Sequence, residues 1–190
     1  MKVTREQAAA NRDRIVKVAS ALFRQHGIDG IGIADIMKAA GLTHGGFYGH
    51  FASKDELAVE AFAYALRERW GDGASDPPAQ RSIATVVQRY LSRNHRRDLA
   101  HGCPIAALGS DIVRQPRTVR RAFTTGLRSS IEKLRRLMPG PSGTEQRKQA
   151  LATSAGLVGA LILSRAVDDP ALSDEILAAA STAFASPGRH

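Results

Sequence analysis

The chain has 190 residues, 43% of them apolar, 24% charged and 5% aromatic. That apolar share excludes a disordered chain, and frequent Ala and Leu with few strand-like runs predict an all-helical protein with room for one small module and one larger domain. The formal net charge of +9 calls for an acidic partner. It is unevenly placed, because residues 1 to 57 hold eight Lys or Arg against six Asp or Glu, net +2, and leave +7 beyond them. Most of that excess comes from Arg89, Arg93, Arg96, Arg97, Arg117, Arg120, Arg121, Arg128, Lys133, Arg135 and Arg136. These read as solvated helix faces, with an anionic effector or a further phosphate-backbone contact as the alternative. One cysteine, Cys103, excludes an intramolecular disulfide and suits a reducing compartment. No leader-like segment opens the sequence, and the longest apolar run, residues 157 to 163, is too short to cross a bilayer. A cytoplasmic protein with no membrane partner is expected.

In chain order, Ile15, Val18, Ala19, Leu22 and Phe23 recur every three or four residues and predict a first helix with one buried face. Ile33, Ile36 and Met37 predict a short second helix, and Gly41 can turn the chain at positive φ. Thr43 is placed to cap a third helix whose Phe47 turns inward, leaving His44, Gly45, Gly46, Tyr48 and His50 available to a groove. Ser53 and Glu56 form a capping-box pattern for a fourth helix that starts with Lys54 and runs through Phe62 and Leu66 to about Trp70. The segment GDGASDPP, residues 71 to 78, predicts a domain boundary. Beyond it, Ile83 to Leu91 predict another helix, HGCP at 101 to 104 a break, and Leu108 and Ile112 a short helix. A further helix runs from Pro116 to Met138, one begins at Thr144, and a last one follows Ser173 and Asp174.

Residues 8 to 57 resemble the N-terminal helix-turn-helix domain of TetR-family transcriptional regulators. The matching pieces are FRQHG, the DI of the second helix, AAGLT, FYGHF and SKDEL. Ile31 and Gly32 stand where the family usually carries Ser or Thr, so a hydroxyl contact to phosphate is lost and anchoring there should be weaker. The resemblance implies a three-helix DNA-binding domain at 1–70, with its motif at about 31–50, and a helical effector-binding and dimerisation bundle at 76–190. It implies that Tyr48 and Lys54 anchor phosphates and that His44 to Gly46 face base edges. It also implies a homodimer on a palindromic duplex, a small-molecule effector and, most simply, repression.

Ala152, Gly156, Ala160 and Ser164 form a ridge of small residues every four positions, which with Ile176 and Ala180 on the last helix is expected to serve dimerisation. Phe62, Leu66, Trp70, Tyr90, Cys103, Leu108, Phe123 and Leu127 are candidates to line an effector pocket, although such spacing also describes plain core. Cys103 is either an inert core thiol or, beside His101 and near Arg96 and Arg97, an oxidant or electrophile sensor. No metal-ligand pair, phosphate loop or nucleophile elbow is present, so neither catalysis nor a cofactor is expected. A nonspecific nucleoid-binding protein, suggested by a pI near 10.4, is the competing class.

Overall fold

The hydroxyl of Thr4 accepts the N–H of Gln7 at 3.1 Å and so caps α1 (Arg5–His26), which buries Ile15, Val16, Ala19 and Phe23 along one side. The helix ends at Gly27, whose φ of 78° no side chain tolerates easily. The short α2 (Ile33–Ala39) fully buries Ile36 and Met37 and closes with two reversed bonds, Gly41 N–H to Lys38 C=O and Leu42 N–H to Met37 C=O. This ending requires positive φ at Gly41, which adopts 69°. A short 3₁₀ helix, η1 (His44–Gly49), and α3 (Lys54–Trp70) follow. The rest of the chain forms α4 (Ile83–Tyr90), α5 (Arg93–Arg97), α6 (Pro104–Ile112), α7 (Arg117–Arg135), α8 (Thr144–Ala166) and α9 (Pro170–Ala185). This is a computed structural model describing residues 4–70, 82–140 and 143–185, with no strand among them. The expected boundary at 71–78 and the side chain of Trp70 lie outside the described residues.

The chain forms two compact units. The first contains the described residues through 70 together with 99–124. Besides apolar packing such as Phe123 on Phe62, segment 99–124 is held there by polar contacts that leave no hydrophobic periodicity to read. The Arg24 guanidinium, its side chain 1% exposed, donates to the carbonyls of Ser20 (3.1 Å) and Gly102 (3.2 Å) and to Glu68 (3.1 Å). Leaving such a buried cation without its partners costs about 3–5 kcal/mol. The amide of Gln115 donates to Asp29 at 2.8 Å, and the absence of a Cβ at Gly27 makes room for the Asp111 carboxylate.

In the second unit, Ile131, Leu134, Met138 and Ala150 form a core with Ile83, Val86 and Leu127 against it. α8 packs along α9: the ring of Phe184 occupies the space where a Gly156 side chain would stand, and Ser173 Oγ donates to the Ser164 carbonyl at 2.5 Å. The last helix starts earlier than Ser173. Pro170 opens it and the Asp169 carboxylate accepts the N–H groups of Ala171 (2.8 Å) and Leu172 (3.3 Å). Asp174 instead binds Arg93 (2.5 Å) and Arg96 (2.9 Å), whose hydrogen bonds, led by that of Arg93, hold its carboxyl below the usual range. α7 also stops short of Met138, because the amides of Leu137 and Met138 turn back to the carbonyls of Leu134 and Arg135. By length and composition α8 could cross a membrane, but its inner side packs within the unit and its first turns carry Glu145, Arg147 and Lys148.

Candidate nucleic-acid interface

The expected recognition helix is a six-residue 3₁₀ helix with three glycines, residues of low α-helix propensity. Thr43 occupies the N-cap position, but its side chain makes no capping bond, so its hydroxyl stays exposed. Phe47 is fully buried, stacks on Phe51 with centroids 5.6 Å apart, and takes the Tyr48 ring edge-on at 5.2 Å. This aromatic base fixes the turn from below. Above it, His44, Gly45, Tyr48 and Gly49 are exposed, Tyr48 by 68%, while Gly46 and His50 are half-buried.

The glycines are informative because the fold does not need them. A Cβ built on Gly45 or Gly49 meets nothing within 4 Å, one on Gly46 meets only ordinary contacts at 3.7 Å, and none of the three has positive φ. Glycine in a helical turn costs roughly 0.5–1 kcal/mol relative to alanine. A surface that carries this cost without internal benefit suits close approach of its bare backbone to another molecule.

Beside the turn, Lys54 opens α3 and is half-buried. Ser53 Oγ accepts the Glu56 N–H at 3.2 Å, but Glu56 returns its carboxylate to the N–H of Ala52 at 2.7 Å, one residue before the position a capping box would use. Glu56 also pairs with Arg12 of α1, 44 residues earlier. No local pattern signals a contact over that separation, which is why sequence reasoning passes over Arg12. The N-cap of α2, Gly32, makes no side-chain capping bond.

The other expected sites are distributed as follows. Phe62, Leu66, Cys103, Leu108 and Phe123 belong to the first unit, where the Phe62 and Phe123 rings lie 5.2 Å apart and Cys103 and Leu108 are buried. Tyr90 and Leu127 belong to the second. Cys103 sits at the N-cap position of α6 with only 3% exposure. Of the small ridge on α8, Ala160 and Ser164 are buried and Gly156 faces Phe184 within the chain, whereas Ala152 is exposed; Ile176 and Ala180 are half-buried. The side of α8 that remains open carries Leu151, Ala155, Ile162, Leu163 and Ala166.

Residues 15–61, the helices that build this surface, match the family model described as bacterial regulatory proteins, tetR family. The HTH-type transcriptional regulator AcrR of Shigella flexneri is 40% identical over 57 residues, 30% of this chain and 26% of that protein. The HTH-type transcriptional regulator YxaF of Bacillus subtilis is 30% identical over 108 residues, 53% of this chain and 56% of that protein. The chain thus spans from a quarter to a little over half of the length of these two curated relatives. The crystal structure of a TetR transcriptional regulator from Chloroflexus aurantiacus is similar over 93% of this chain and 95% of that one, with TM-score 0.73 and 29% identity. Residues 15–61 thus carry a helix-turn-helix of the tetR family of bacterial regulatory proteins, and the helical remainder is similar to that of a TetR transcriptional regulator.

Proposed function

We propose that the chain is a cytoplasmic, ligand-responsive transcriptional repressor that binds a palindromic duplex as a homodimer. The observation that carries this reading is the exposed, side-chain-poor turn of η1 on its aromatic base, bordered by Tyr48 and Lys54. The bare backbone lets the turn enter the major groove, Tyr48 and Lys54 hold the phosphates, and Thr43 and His44 reach base edges. Bound near a promoter, such a dimer obstructs transcription.

Dimerisation is assigned to the open face of α8, where Leu151, Ile162 and Leu163 are 43%, 41% and 56% exposed, with Leu172 of α9 at 42%. This face is apolar, as the core of a two-fold interface is, while in the small ridge beside it Gly156 and Ser164 already meet Phe184 and Ser173 of α9. Dimerisation gives two copies of η1, which read half-sites about one helical turn apart. An effector bound among the C-terminal helices lowers DNA affinity by favouring a geometry in which the two turns no longer match that spacing. Cys103, buried at the start of α6, is assigned to packing.

Selection of bound duplexes from a random pool by the full chain tests the reading. The expected product is a palindrome whose preference over a scrambled duplex persists at every salt concentration. A pool that stays random while binding weakens with salt assigns the protein to nonspecific nucleoid binding.

A further inference from the structure

Arg12 of α1 joins the link after η1 to α3. Its Nε donates to the His50 carbonyl at 3.3 Å, one terminal nitrogen donates to Glu60 at 2.6 Å and to Glu56 at 3.2 Å, and the other donates to Glu60 as well. The guanidinium carbon lies 4.4 Å from the centroid of the Phe51 ring. Glu56 passes the connection on through its bond to the Ala52 N–H, and Ser53 is tied to the same helix end. His50 to Ser53 is the whole link between η1 and α3, with Tyr48 just before it and Lys54 just after. The hydrogen bond that Arg12 donates to Glu60 is the main reason that its proton is held more firmly than usual, so the group stays charged.

A cation at this place near a DNA-reading turn would ordinarily be counted as a phosphate contact. Here four of its five N–H groups go to two carboxylates and a carbonyl of its own chain, and the Phe51 ring lies against the guanidinium, although the side chain is 34% exposed. The geometry points to Arg12 as a positioning residue, which sets the angle between η1 and the start of α3, and so the spacing of Tyr48 and Lys54, without reaching DNA itself. This rests on the reading of the η1 surface as DNA-binding.

The two readings of Arg12 separate when opposite charges of the network are removed. Arg12→Gln and Glu60→Gln in the full chain, with folding checked by circular dichroism, are titrated against the selected duplex and a scrambled one across a salt series. If Arg12 positions the turn, both variants lower the preference for the selected duplex about tenfold, and both keep the wild-type salt slope. If Arg12 instead holds a phosphate, Arg12→Gln makes the slope shallower by about one per half-site, and Glu60→Gln binds all DNA more tightly because an acid has gone. That outcome overturns the inference, as does an unchanged preference in folded variants, which would leave the network only a packing role. Should Arg12→Gln fail to fold, Glu60→Gln decides alone, since a tenfold loss of preference supports positioning and tighter binding to both duplexes with the preference unchanged overturns it. A wild-type chain that selects no duplex overturns the underlying DNA reading, a result visible before either variant is tested.

Discussion

The glycines of η1 and Gly156 of α8 stand in opposite surroundings. Gly45 and Gly49 have nothing of their own chain within 4 Å of an added Cβ, while Gly156 lies directly against the ring of Phe184. Both positions sit in helical backbone without positive φ, so conformation alone explains neither. The glycine of α8 serves the inside of its unit, by letting α9 come close. Those of η1 bring no such internal contact, which is what the proposed approach to DNA would require of them. Small residues in a helix thus mark close approach, but only the surroundings tell whether the approaching surface is internal or another molecule.

The sharpest way to break this comparison is to fill both kinds of site. Gly156→Leu should overpack the contact with Phe184 and lower stability by about 3 kcal/mol, measured by urea unfolding. Little change would mean that α8 and α9 part without cost. Leu163→Glu, on the open face of α8, should leave monomer folding intact but raise the dimer dissociation constant at least about a hundredfold, seen by sedimentation. A wild-type chain that sediments as a monomer at micromolar concentration removes the proposed dimer.

At the DNA surface the expected effects are smaller. Lys54→Ala should weaken binding to all sequences about tenfold and make the dependence on log salt shallower by about one per half-site. Tyr48→Phe should weaken it less and leave the slope unchanged. Unaltered affinity in both variants would take these residues out of the interface.

Smallest of all should be the effect of acid at Glu132, whose carboxyl is lowered from 4.5 to about 2 by a hydrogen bond from Arg135 and by Arg136. Because the folded value is the lower one, its contribution to stability is present above the ordinary carboxylate range and is lost as pH falls through about 2. Glu132→Gln should therefore shrink the difference in melting temperature between neutral and strongly acid solution. An unchanged difference would mean that this exposed pair contributes nothing measurable.

The helices were legible wherever a stripe of apolar residues faces a core, as in α1, where Ile15, Ala19 and Phe23 are all buried as expected. Gly41 was legible too, because its place after α2 calls for positive φ. What escaped the sequence was decided by polar side chains acting over long separations. Ser173 and Asp174 look like a helix start, yet they are occupied by Ser164, Arg93 and Arg96, and Asp169 caps α9 instead. The attachment of residues 99–124 to the first unit uses Arg24 and Gln115, neither of which belongs to a periodic pattern. In the recognition element His44, Gly45 and Tyr48 are exposed as read, whereas Gly46 and His50 are half-buried, and the apolar pattern carries no sign that the turn is 3₁₀.

The claim that the bare backbone of η1 exists for an outside surface is tested most directly by Gly45→Leu, with unfolding and DNA binding measured on the same preparation. A Cβ at Gly45 meets nothing within 4 Å. The account predicts stability equal to or above that of the wild type by up to about 1 kcal/mol, together with loss of the selected duplex by at least about thirtyfold. A variant that unfolds as the wild type does and still binds that duplex with wild-type affinity would contradict it.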